Sequence, residues 1–138
     1  VTAGLRYLLD TDVLSDIARN PGGRAATRLL AAGVDRVATS VVVAAEVRFG
    51  LARNGSRRLI ERVSQLLDHL HVLAVESPAD QHYAEIRHAL GRSGAMIGPN
   101  DLFIAAHARA LGLTLVSGNV REFKRVADLR VENWVERY

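Results

Sequence analysis

In YLLDTDVLSD, residues 7–16, an apolar run stops on Asp10, and Asp12 and Asp16 follow within six residues. Residues 5–9 read as a buried strand. Residues 12–20 read as a helix that Asn20-Pro21-Gly22-Gly23 breaks. Aspartates at such a junction have two uses. They cap the helix and satisfy its first amides, or the strand delivers a carboxylate into a site beyond its C-terminal end. The rest of the chain decides between them.

Outward from this stretch, short apolar runs alternate with helical patterns. Residues 24–32 form a helix with Leu29 and Leu30 on its inner face and Gly33 as its stop. Residues 36–38 are a short strand, after which Thr39 and Ser40 offer a cap for a helix through Ala52. Residues 56–70 carry Leu59, Ile60, Val63, Leu66, Leu67 and Leu70 at helical spacing. Residues 71–75 read as a third strand. Ser77 and Pro78, as cap and first helical residue, open a helix to about Leu90. Residues 91–100 hold three glycines and read as a loop. Pro99 starts a helix to about Leu111 that Gly112 closes. Residues 113–117 are a fourth strand and residues 131–133 a fifth. Continuous apolar strands alternating with helices predict a mostly parallel sheet covered on both faces, within one domain spanning residues 1–138.

The 138 residues suffice for a real core. Cysteine is absent, which excludes disulfides and thiolate metal sites and fits a reducing cytoplasm. No apolar run approaches the roughly 18–20 residues of a membrane span, and no basic-then-apolar leader is evident, so no membrane association is expected. The net charge is +3, and Lys124 is the only lysine among 18 basic residues. A GC-rich genome gives the same bias, but arginine forks also match phosphate oxygens.

Open parallel sheets place their sites past the strand ends, so the polar residues there matter most. Asp10 follows the first strand. Glu46 lies in an apolar helix with Val42, Val43 and Phe49 as helical neighbours, where a lone carboxylate is costly unless paired or liganded. Asp101 lies in the first turn of its helix. Asn119 and Glu122 follow the fourth strand. Singly, each has a structural reading: an Asx turn for Asp10, an N-cap for Asp12, an ion pair with Arg48 for Glu46, dipole and amide contacts for Asp101, a surface charge for Glu122. Together they put at least three carboxylates at one sheet edge. Two carboxylates about 4 Å apart repel by roughly 4 kcal/mol at an effective dielectric of 20, and a divalent cation removes that penalty. Oxygen donors favour Mg²⁺ or Mn²⁺, and such sites commonly act on phosphoryl groups.

Taken in order, LLDTDVLSD (8–16), VVVAAEVRFG (41–50), IGPNDLFIAAHARALGLTLVSGNVREF (97–123) and LRVENW (129–134) resemble the PIN domain, and within it the VapC-type toxins of bacterial toxin–antitoxin pairs. The resemblance runs from about Leu5 to Trp134. It implies a three-layer α/β/α fold and an Mg²⁺-dependent endoribonuclease in which Mn²⁺ can substitute. It carries the first three acids of the family's quartet onto Asp10, Glu46 and Asp101. The fourth position has two candidates, Glu122 and Asn119; toxins with an N-x-x-E-F ending use the glutamate, which assigns Glu122 and leaves Asn119 as a polar neighbour. Ser117 and Thr11 are further supporting residues. Asp10 and Asp101 would hold the metal directly, with Glu46 and Glu122 acting through water, at a second metal, or on the attacking water. Arg48 and Arg121 are rim candidates for the RNA backbone. The implied substrate is a structured tRNA or rRNA. The implied partners are a VapB-type antitoxin and a second copy of the chain, in a heterotetramer or larger assembly.

Two other readings compete. A haloacid-dehalogenase-type phosphatase would use Asp10 as nucleophile and Asp12 as acid, and a receiver domain would also open on strand-end aspartates. Both need a lysine, and Lys124 stands too late for a receiver and is followed by no acidic pair for the phosphatase. A non-catalytic PIN-like module that binds RNA or protein is the remaining alternative, and intact acids count against it.

Overall fold

The computed structural model describes residues 3–135. Five strands, β1 (Tyr7–Leu9), β2 (Val37–Ser40), β3 (His71–Leu73), β4 (Thr114–Val116) and β5 (Val131–Glu132), form one sheet in the order β3-β2-β1-β4-β5. Every neighbouring pair is parallel. Seven helices connect and cover them: α1 (Thr11–Arg19), α2 (Arg24–Ala32), α3 (Val41–Asn54), α4 (Arg57–His69), α5 (Ala79–Ser93), α6 (Pro99–Leu111) and the single turn α7 (Val120–Phe123). This is the three-layer arrangement expected from the alternating pattern.

The central strands are apolar because they are covered on both faces. Leu8, Leu9, Leu115 and Val116 are fully buried, and all four residues of β2 are buried. α1 buries Val13, Leu14, Ile17 and Ala18, spaced as one helical face, and packs against α3 and α4. α5 packs against α6. Trp134 and Phe123 are among the largest fully buried side chains, and Trp134 meets Tyr7 edge-on at 5.1 Å.

Register sets the functional edge. Leu9 lies beside Thr39 on one side and Val116 on the other. The residues that come next, Asp10, Ser40 and Ser117, therefore leave the sheet at one edge. From β1 the chain builds β2 and β3 to one side, then crosses to build β4 and β5 on the other. The crevice beyond β1 and β4 is thus a topological switch point.

Several expectations change in detail. Leu30 is 73% exposed, because α2 turns Ala25, Ala26 and Leu29 inward and the next residue falls off that face. Ile60 is likewise exposed on α4. Pro78 occupies the cap position of α5 rather than its first turn, and no side chain caps that helix. The expected loop at residues 91–100 is shorter, because α5 continues through Gly91 to Ser93 before Gly94 ends it in the left-handed region. β1, β3, β4 and β5 are shorter than expected, and Leu5 is buried but precedes the ladder; β2 instead runs past residue 38 to Ser40, because Thr39 and Ser40 pair with β3.

Candidate active site

Asp10 is the N-cap of α1, and the helix start dictates its geometry: Oδ1 accepts from the Thr11 amide at 2.7 Å. Its second oxygen accepts from Ser117 Oγ at 2.8 Å, at the end of β4. The Asp10 amide donates to Val116 O at 2.9 Å, so the carboxylate hangs from the seam between the two central strands. It is only 6% exposed. Burial pushes its pKa up to about 6; the Ser117 and Thr11 hydrogen bonds oppose this, and the charges of Asp12 and Glu46 add to it.

Glu46 projects from α3, which starts at Ser40 with Oγ accepting from the Val42 amide at 3.1 Å. Glu46 Oε1 accepts from Thr11 Oγ1 at 2.8 Å and Oε2 from Asn100 Nδ2 at 3.2 Å. The face assigned to it from sequence needs correction. Phe49 is 64% exposed, and the buried residues of α3 are Val43, Ala44 and Val47. Glu46 is therefore a half-buried rim residue, satisfied by hydrogen bonds rather than by Arg48. Arg48 is exposed and lines a separate cavity of about 190 Å³ with Ile60 and Ser64.

Asp101 is the third residue of α6, after Gly98 as cap and Pro99 at the first position. Burial pushes its pKa up to about 7, followed by the charge of Glu122 and then that of Asp10; a hydrogen bond with Glu122 and the charge of Glu46 raise it further. Glu122 sits on α7 with Oε2 accepting from Asn119 Nδ2. Between the two candidates for the fourth acid, the structure turns Glu122 toward Asp101 and makes Asn119 its donor. The Asn119 amide in turn donates to Ser117 Oγ at 2.9 Å. Arg121 is exposed on the same turn.

Asp12 is not the cap, since Asp10 takes that position. Its Oδ1 accepts from the Val13 amide at 2.9 Å and its Oδ2 from the Gly118 amide at 2.8 Å, tying α1 to the segment after β4. Burial raises its pKa, against the pull of the two amides. Sequence reasoning missed Asn100 and Gly118; the only signal was their place inside the motifs GPND and SGN. It also missed His107, which is 3% exposed with Nδ1 2.9 Å from Ser40 Oγ.

The donor set consists of carboxylate oxygens. Among the described residues, neither ion pair involves Asp10, Glu46, Asp101 or Glu122. Nor, among those residues, is any group of three Asp, Glu or His side chains set to hold one ion as it stands. The site is a convergence of acids rather than a finished cage. Its chemistry nonetheless fits a hard divalent cation, because mutual repulsion and burial already push two of the four acids toward protonation.

A parallel sheet with acids gathered at its switch point defines the class. The PIN domain family model matches residues 7–129, and the chain belongs to that family. Within it, the chain groups with the VapC ribonucleases. It is 35% identical over 132 residues to Ribonuclease VapC2 of Haemophilus influenzae, covering 95% of this chain and 99% of that one. It is 33% identical to the tRNA(fMet)-specific endonuclease VapC of Shigella flexneri, over 94% of this chain and 98% of the relative. Among solved structures, DNA-bound VapBC from Salmonella typhimurium superposes with a TM-score of 0.87 at 30% identity, over 94% of this chain and 98% of that one. VapBC2 from Rickettsia felis, bound to a promoter DNA fragment, gives 0.84 at 31% identity, over 94% and 99%.

Proposed function

We propose that this chain is the toxin of a toxin–antitoxin pair: a divalent-cation-dependent endoribonuclease that hydrolyses phosphodiester bonds in a structured tRNA or rRNA. The observation that carries the reading is the convergence of Asp10, Glu46, Asp101 and Glu122 from four separate parts of the chain at one sheet edge. The named activity of the VapC relatives supports it. The VapBC complexes among the structural neighbours support a VapB-type antitoxin for this chain. A homodimeric toxin within a heterotetramer or larger complex is part of the same proposal. An RNA substrate and such a partner are consistent with a cytoplasmic location, which belongs to the same proposal. Among the described helices none is long and apolar enough to cross a membrane.

Asp10 and Asp101 are the residues that would hold Mg²⁺ or Mn²⁺, with Glu46 and Glu122 completing the set. The bound ion supplies charge stabilisation at the scissile phosphate and lowers the pKa of the attacking water. Asp10 is pre-oriented, because the Thr11 amide and Ser117 hydroxyl fix both its oxygens and leave it no rotamer search. Glu46, steadied by Thr11 and Asn100, orients the water. Burial, and then the Glu122 charge, hold the Asp101 carboxyl up at about 7, so a cation held there would favour its ionised form. Attack on phosphorus breaks the P–O3′ bond and leaves a 3′-hydroxyl and a 5′-phosphate.

The test is cleavage of total tRNA and rRNA by purified protein with Mg²⁺ or Mn²⁺, beside Asp101→Asn. Discrete, metal-dependent cuts that vanish in the variant are expected. Identical patterns from both proteins would defeat the reading. RNA binding without cutting by either would favour the non-catalytic module.

A further inference from the structure

Two helices each present a stripe that begins at the acid site and runs away from it. On α1, Thr11, Ser15 and Arg19 follow at intervals of four; on α3, Glu46, Gly50 and Asn54 do the same, and all six line one cavity of about 240 Å³. The stripes start from a bonded pair, Thr11 Oγ1 donating to Glu46 Oε1 at 2.8 Å. Eight residues of helix at 1.5 Å each give a track of about 12 Å. A cavity of this volume leaves room for a planar ring system.

We infer that this cavity is a nucleobase subsite for single-stranded RNA beside the scissile bond, and that Gly50 keeps it open. The inference rests on the ribonuclease reading above. Gly50 lies inside α3, where glycine is disfavoured relative to alanine. Its backbone does not require glycine, since it is absent from the positive-φ residues. A Cβ built on it meets nothing within 4 Å, so packing does not require glycine either. Gly55 in the same cavity is different: a Cβ there would lie 2.6 Å from Leu51 O. What the missing side chain at Gly50 preserves is space. Leu51 and its apolar neighbours offer a floor for a base face, and Ser15 and Asn54 offer hydrogen bonds to a base edge. Among the described residues neither ion pair uses Arg19, so its guanidinium is available to stack on the base or meet the next phosphate.

The test compares wild type with Gly50→Leu, Gly50→Ala and Asn54→Ala. Cleavage of total tRNA and of the four homopolymeric ribohexamers is followed with Mn²⁺, and hexamer binding is followed by fluorescence anisotropy in EDTA. Gly50→Leu should melt no lower than wild type, yet lose about ten-fold or more in kcat/KM, chiefly through KM. Its hexamer binding should weaken in parallel. Asn54→Ala should change the ranking of the four hexamers. Unchanged cleavage and binding by Gly50→Leu would overturn the subsite while leaving the nuclease intact. So would a loss confined to antitoxin binding, which would make the cavity a protein seat. If Gly50→Leu does not fold, wild-type behaviour of both Gly50→Ala and Asn54→Ala overturns it. A wild-type protein that cuts no RNA would instead remove the underlying reading.

Discussion

Asp101 and Asp10 are held in a place that resists their ionisation, and this has a measurable sign. Their pKa values stand at about 7 and about 6 in the folded chain, above the ordinary carboxylate range. Between about pH 4 and pH 7 the folded state binds more protons than the unfolded one, so stability falls as pH rises through that window. The melting temperature of metal-free protein should therefore decline from pH 5 to pH 8, and Mg²⁺ should restore most at the alkaline end. Asp101→Asn removes one of the repelling charges. It should raise the metal-free melting temperature at pH 8 by a few degrees while abolishing cleavage; a lower melting temperature would contradict the electrostatic account. Gly118 shows the opposite economy. A Cβ there would overlap Asp12 Oδ2, which accepts from the Gly118 amide. Gly118→Ala should break that bond, cost about 1 kcal/mol in urea denaturation, and lower activity by shifting the segment that carries Asn119 and Glu122. Asp10 and Asp101 were legible in the sequence because each ends or begins an element. Asn100 and Gly118 were not, because they act by hydrogen bonds across 54 and 106 residues of chain that spacing does not encode.

At the scale of elements, the helices bounded by glycine or proline were the most readable features. α2 and α6 occupy the expected residues, since Gly33, Pro99 and Gly112 punctuate them. α7 was not anticipated: one turn has no periodicity to detect. Phe49 and Leu30 misled because an apolar side chain at a helical interval need not face the core. Ser40 joins three elements. Its Oγ accepts from the Val42 amide to start α3 and lies 2.9 Å from His107 Nδ1 on α6, while its backbone ends β2. Burial lowers the pKa of His107, against a hydrogen bond to the Ala74 backbone and the charge of Glu76. Ser40→Ala takes the cap from α3 and a partner from a buried ring. The expected cost is about 1–3 kcal/mol, read as a lower urea midpoint at unchanged m-value. A neutral substitution would show that water replaces the hydroxyl.

At the scale of the molecule, the parallel architecture was legible from alternation alone, whereas the strand order was not. Nothing local tells β4 to pair with β1, yet that pairing brings Ser117 to Asp10. Trp134 anchors the far side of this arrangement. It is 1% exposed, meets Tyr7 of β1, and has the Arg28 guanidinium 5.4 Å from its ring centre. As the only tryptophan, it also gives a single fluorescence probe. Trp134→Ala should cost about 3–5 kcal/mol, followed by circular dichroism since the fluorophore is gone; a loss below 1 kcal/mol would mean that β5 is an accessory. Three-residue strands at about 3.3 Å per residue make the middle of the sheet only about 10 Å deep. Such a sheet offers almost no insulation between its front and its back. Drift at the rear of β1 or β4 reaches the acids within a few bonds, so tolerance to substitution there should be set by catalysis as much as by folding.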